Sequence, residues 1–270
     1  MLLKRSILFS LWLLPVFVLS TPTAKGCSCT NRPTVQEQYD WANIVVIAQA
    51  VSVEKVGETA RSTEGIRSTT MVVEKVFKGS LKVGEQMTFA QGAGADCVWG
   101  FSEKSIGQRY LFYLSQDSKN RVIWIASICG RSNRLDFAAD DLLFLENIGS
   151  ARGKTRLSGT FSFYDPPIVQ GQERTHKTLA RRKVRIIGEK ETYELVTNPD
   201  GVYEIYDLPP GRYKIEPEIP RGFHIDYSLA SKVPNTNRLS DSGRSKRETF
   251  EDMVESGKHA YFDFTYGASR

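Results

Sequence analysis

The chain has 270 residues, of which 40% are hydrophobic, 25% charged and 11% aromatic. This composition excludes a coiled coil, a collagen and a wholly disordered chain, and at about 100–200 residues per domain the length points to two domains. The formal charge is +5, but Lys4, Arg5 and Lys25 fall in the first 26 residues with no acid among them. Taking those three from +5 leaves +2, too little for the concentrated basic face that a nucleic acid requires.

Lys4 and Arg5 precede an apolar run over 7–19, followed by Ser20-Thr21-Pro22-Thr23-Ala24. A charged start, an apolar stretch of this length and a small polar region make residues 1–26 a signal peptide. The run is shorter than the ~20 residues of a membrane span, and Pro15 interrupts it. The expected chain is therefore exported, secreted or otherwise extracytoplasmic, with no transmembrane segment once the signal is removed. Cleavage after Gly26 would place Ala24 and Gly26 at the small-residue positions and make Cys27 the first residue.

In an oxidising compartment the four cysteines, Cys27, Cys29, Cys97 and Cys129, are expected to form two disulfides. Pairing Cys27 with Cys29 would close a very small strained ring, so each is expected to reach Cys97 or Cys129, two distant points of the chain. Their Cys-x-Cys spacing does not suit a zinc site.

Residues 33–42 (PTVQEQYDWA) read as a short helix capped by Thr34. β-type runs follow at 43–53, 69–77, 87–90, 110–114 and 122–126, and 138–148 (AADDLLFLENI) reads as a helix with Leu142, Leu143 and Leu145 facing a core. Five strands with helices at the ends suit a small OB-fold barrel. The stretch 149–154 (GSARGK) is the expected linker, dividing a domain over 27–150 from one over 151–270. Beyond it, strand patterns at 158–164, 183–187, 193–197, 203–206, 213–216 and 261–266, with turns at Asn198-Pro199-Asp200-Gly201 and Leu208-Pro209-Pro210-Gly211, point to an antiparallel β-sandwich. Residues 235–258 read as a polar excursion.

Cys27-Ser28-Cys29, the run Ala42-Asn43-Ile44-Val45-Val46-Ile47-Ala48-Gln49-Ala50-Val51, Phe77-Lys78-Gly79, Gly107-Gln108-Arg109-Tyr110-Leu111 and the late Cys129 together resemble the amino-terminal domain of the tissue inhibitors of metalloproteinases (TIMPs), a netrin-like (NTR) module. The resemblance covers about residues 27–148. It implies an OB-type barrel and bridges Cys27–Cys97 and Cys29–Cys129. It also implies a secreted metalloendopeptidase inhibitor whose free Cys27 chelates the zinc of a partner protease through its α-amine and carbonyl oxygen. Catalytic zinc keeps an open position, and an α-amine of pKa ~7.7–8.0 loses its proton at little cost near neutrality. By the same resemblance Ser28 enters the specificity pocket, Cys29, Thr30 and Asn31 lie along the cleft, and Ala95 and Asp96 make the second contact.

Lys183-Val184-Arg185-Ile186-Ile187, Thr197-Asn198-Pro199-Asp200-Gly201-Val202-Tyr203-Glu204-Ile205 and Asp207-Leu208-Pro209-Pro210-Gly211-Arg212-Tyr213 resemble the prealbumin-like domains, carboxypeptidase regulatory domains included. That resemblance implies a spacer or adhesive Ig-like sandwich. His176, His224 and His259 lack metal-ligand spacing and read as surface or loop residues, Arg181-Arg182-Lys183 and Ser245-Lys246-Arg247 as solvated faces, and Asp140-Asp141 as acids suiting a helix start. No Gly-x-Ser-x-Gly, His-Glu-x-x-His or phosphate-cradling loop is present. The chain thus reads as a non-enzyme without cofactor. The alternative to the inhibitor is a non-catalytic, secreted or envelope-associated module that binds a protein or glycan.

Overall fold

Two apolar runs form the centre of the amino-terminal half. Strand β1 (Ile44–Lys55) pairs antiparallel with β4 (Arg109–Leu114), Val46 opposite Phe112 and Ala48 opposite Tyr110. The computed structural model describes residues 29, 32–55, 67–90, 97–115, 123–124, 126–164, 176–230 and 250–268. Around this pair stand β2 (Arg67–Lys78), β3 (Gln86–Ala90), β5 (Ile123–Trp124) and β6 (Asn133–Arg134), in the order β5-β3-β2-β1-β4-β6. The β3–β5 pair is parallel and the others are antiparallel.

Both faces of the central strands are buried, which is why their sequences read as nearly unbroken apolar runs. Val46, Ala48 and Ala50 of β1 meet Met71, Met87, Phe89 and Phe112 on one side. Val45 and Ile47 meet the other layer, made by helix α1 (Val35–Trp41) and helix α2 (Ala139–Glu146) through Val35, Ala42, Phe144 and Leu145. Helix α1 starts where expected. Thr34 Oγ1 accepts from the Glu37 amide at 3.3 Å while the Glu37 carboxylate accepts from the Thr34 amide at 2.9 Å, a reciprocal capping box.

Three expectations need correction here. Among the described residues the first half shows six strands where five were expected, because β6, at two residues, is too short to show a period. In α2 Leu145 is buried in the core and half-buried Leu142 packs against it as expected, but Leu143 is not part of that cluster, and Asp140, Asp141 and Phe144 are buried instead. Ion pairs draw the first turn inward and rotate the apolar face. The expected linker is partly helical: α3 (Ile148–Ala151) follows α2 directly, its Ala151 amide donating to Asn147 O at 3.0 Å, and the small Ala151 side chain is buried in the core of the first half.

The second half is a β-sandwich. One sheet runs β10 (Thr192–Val196), β9 (Lys183–Ile187), β12 (Gly211–Pro217), β14 (Phe250–Val254). The other runs β11 (Val202–Tyr206), β7 (Arg156–Tyr164), β15 (His259–Ala268), β13 (Phe223–Ala230), with β8 (His176–Thr178) on β7. Val184, Ile186 and Ile215 from the first sheet share a core with Leu157, Phe161, Tyr203, Ile225 and Phe264 from the second. The turn at Asn198 forms as expected: Gly201 has φ +73°, and Asn198 Oδ1 accepts from the amides of Asp200 and Val202 at 3.0 and 2.9 Å. Two features differ from expectation. The outermost elements in sequence, β7 and β15, run parallel, and β14 lies within the stretch read as an excursion, of which 235–249 fall outside the described residues.

Gly159 sits where a neighbouring backbone leaves no room for a side chain. A Cβ there would stand 1.7 Å from the Phe262 carbonyl oxygen and 2.7 Å from the Tyr203 hydroxyl. That hydroxyl donates to the same carbonyl at 2.9 Å, just where the β7–β15 pairing is interrupted between Ser158 and Phe161. Backbone cannot retreat from a side chain at low cost. Gly159→Ala is therefore expected to destabilise the protein by about 3 kcal/mol or to prevent folding. Urea denaturation of the two forms checks it.

Candidate functional site

The amino-terminal strap is held at several points. Cys29 is bonded to Cys129 across 100 residues, with Cα atoms 5.2 Å apart. Cys97 is disulfide-bonded as well, and its expected partner, Cys27, lies outside the described residues, as do Ser28, Thr30, Asn31, Ala95 and Asp96. Cys97 and Cys129 are not at distant points. The Ile128 amide donates to Cys97 O at 2.9 Å, and Val98 bridges Ser127, so both cysteines occupy one corner. Cys97 sits there in the left-handed region at φ 57°, a conformation that few non-glycine residues adopt. Cys29 and Ile128 are exposed at this corner. Further along, Arg131 Nη1 donates to Pro33 O at 3.4 Å and Tyr261 Oη to Arg32 O at 3.3 Å, so both halves of the chain grip the strap.

Behind the strap lies a buried seam of charges that joins the halves. Arg131 Nε and Nη2 each donate to Asp141 at 2.7 Å, and Nη2 also reaches Asp140 at 3.3 Å. Asp140 accepts a second cation, Arg156 Nη2 of β7, at 2.6 Å. Arg156 turns its fork to Glu204 of β11 at 3.0 and 2.8 Å. The Tyr113 hydroxyl of β4 donates to Asp141 at 2.8 Å. The side chains of Arg131, Asp140, Asp141 and Arg156 are all at most 5% exposed. These four side chains carry equal positive and negative charge, Glu204 adds a less buried third carboxylate, and the bidentate Arg131–Asp141 pair is of the strong, geometrically fixed kind.

The environment moves several protons. Burial raises the Asp140 carboxyl, but Arg156 and then Arg131 more than offset it and hold it below its ordinary range. Burial, then Asp141, pushes the Tyr113 phenol far up. Burial also raises Asp263, which accepts from the Thr160 amide at 3.0 Å and its hydroxyl at 2.9 Å. His259 is the correction to the reading of the histidines: it is 4% exposed, at the start of β15, edge-on to the Phe144 ring of α2 at 5.0 Å. Alternation along β15 places it with Tyr261 on the face opposite Ala260, Phe262 and Phe264, where the Phe144 ring covers it. Burial first, then Arg156, pushes its pKa down to about 3. His176 packs its ring at 4.1 Å from that of Phe137 and is half-buried.

Among the described residues no His, Cys, Asp and Glu cluster could hold a metal, and no helix is long and apolar enough to cross a membrane. Sequence reasoning missed the seam. Its only local signal was the pair of acids at 140–141, placed where acids commonly stand at a helix start.

No protein-family model and no curated protein matches the chain. Among solved structures it is similar to the Bacillus anthracis TIE protein, at 12% identity and a TM-score of 0.27 over 82% of this chain, which spans about two fifths (41%) of that one. It is also similar to GBS52, the minor pilin of Streptococcus agalactiae, at 10% identity and a TM-score of 0.27, over 93% of this chain and 91% of that one. The major pilin T-13 of Streptococcus pyogenes matches at 9% identity and a TM-score of 0.18, over 89% and 94%. These scores are low, and the likenesses assign neither a family nor an activity.

Proposed function

We propose that the protein is an exported, non-catalytic binding module. In this reading an OB-type amino-terminal half and a prealbumin-like sandwich present a braced strap to an extracytoplasmic protein or glycan. The observation that carries it is the Cys29–Cys129 bridge beside exposed Ile128, which fixes Cys29 in a solvent-facing corner. A corner ordered in advance loses little freedom on binding, so its contacts count toward affinity. The OB-type reading is supported by the β1-β2-β3 meander, the antiparallel β1–β4 pair and the parallel β3–β5 pair.

A second reading, the TIMP-type inhibitor, is favoured by the same bridge and by the disulfide-bonded state of Cys97. It requires Cys27 to be the free amino terminus. The test has two arms. Fluorescently labelled chain is expected to be retained on intact cells of the exporting organism, with at least tenfold weaker retention for Cys29→Ser/Cys129→Ser; equal retention overturns the binding-corner reading. Amino-terminal sequencing of exported protein is paired with a thermolysin assay. A start at Cys27, with inhibition lost when one alanine precedes Cys27, would replace the first reading by the second.

A further inference from the structure

We infer that His259 is an acid-responsive latch between the two halves, neutral while the seam is closed and releasing α2 from β15 when it takes up a proton. The geometry supports this. The imidazole is buried edge-on against the Phe144 ring of α2, the Arg156 guanidinium lies 5.8 Å from that same ring, and neither imidazole nitrogen makes a hydrogen bond of ordinary geometry. The charged groups facing it are Arg156 of β7, Arg131 ahead of β6, and Asp140 of α2; the Ala151 backbone of α3 makes the remaining polar approach. Two cations and one anion surround it, and that anion is already committed to both arginines at 2.6 and 3.3 Å. A proton on His259 would add a third positive charge to a buried site whose carboxylate is already committed and whose remaining acceptor is the Ala151 backbone, which favours any arrangement that lets water in.

The sign and window follow from the ordinary value of 6.5 and the closed-state value of about 3. The group is neutral in the closed state and binds a proton in the open state between these limits, so closure weakens as pH falls through that window. At pH 5 the ratio of open to closed forms rises about 30-fold over its value at pH 7.5. The neighbouring carboxyls do not imitate this. Asp140 is held below its ordinary 3.8 and titrates lower still. Asp263 is raised by burial, so its protonation favours the folded form as pH falls.

Native-state hydrogen exchange of the full chain, corrected for intrinsic rates, tests the latch. Helix α2 has eight residues, too few to persist without packing on both sides. Its amides and those of α3 are expected to show the roughly 30-fold rise in opening at pH 5, while amides of β1 and β4 stay protected. His259→Phe is expected to reduce the rise to under threefold, leaving only the contribution of His176 beside Phe137; His259→Gln serves if the phenylalanine form does not fold. The latch is overturned if the wild-type rise is absent, if either variant keeps it, or if β1 and β4 open in parallel with α2.

Discussion

Replacing Arg131 by methionine is expected to lower the unfolding free energy by about 3–5 kcal/mol, the cost of leaving a buried ion set with one partner gone. Arg131 is the only cation bonded to Asp141 among the described residues, through two donors at 2.7 Å, and it also satisfies Asp140. Its removal strands a carboxylate that is 2% exposed and leaves the Tyr113 hydroxyl bonded to an uncompensated charge. The strap loses its hold on Pro33 O as well. Urea denaturation at neutral pH reads the loss directly. The mechanism has a second consequence. Removing the whole unit, as Arg131→Met with Asp141→Leu and Tyr113→Phe, takes away the stranded groups, while Asp140 keeps Arg156 at 2.6 Å. The triple variant is expected to recover at least half of the single variant's loss. If it is less stable than the single variant, the arginine acts through packing and not through charge.

What sequence could and could not disclose divides along a physical line. Apolar runs with β-branched and aromatic residues announced β1, β4, β7 and β15, because a strand buried on both faces or in a sandwich core carries its signal locally. The capped start at Thr34 and the turn at Asn198 were equally local. Strand β13 is absent from the expected set although Phe223, Ile225, Tyr227 and Leu229 alternate strictly with smaller or polar residues. Strands β6 and β8 have two and three residues, too few for any period. The seam is different in kind. Asp140 finds Arg156 at a distance of 16 residues and Arg156 finds Glu204 at 48, with nothing at either position to name the other. A charged residue in sequence reads as a solvated one until topology supplies its partner. The same limit applied to His259, whose burial depends on α2 folding back over β15.

Removing the Cys29–Cys129 bridge by the double change Cys29→Ser/Cys129→Ser is expected to cost about 4 kcal/mol. The two residues are 100 apart in sequence, and cross-linking a loop of that size restricts the unfolded chain by roughly 4.7 kcal/mol on the loop-entropy account. Cys97 is bonded at the same corner, and a Cys27–Cys97 bridge, as the TIMP resemblance implies, would shorten the loop that Cys29–Cys129 closes alone and bring the figure down. Replacing both cysteines leaves no free thiol to exchange with the remaining bridge. The denaturant slope separates two origins for the loss. If the bridge acts on the unfolded chain, its removal lets that chain expand, and the slope rises as the midpoint falls. If it acts on the native corner, the slope stays fixed, and the loss appears as faster amide exchange at Ile128 and Cys129 alone. The length of the closed loop favours the first outcome for most of the free energy, because Arg131 and Tyr261 hold Pro33 and Arg32 independently of the bridge. The corner at Ile128 and Cys129 still loses its local brace, so weaker retention on cells is expected to accompany the loss of stability.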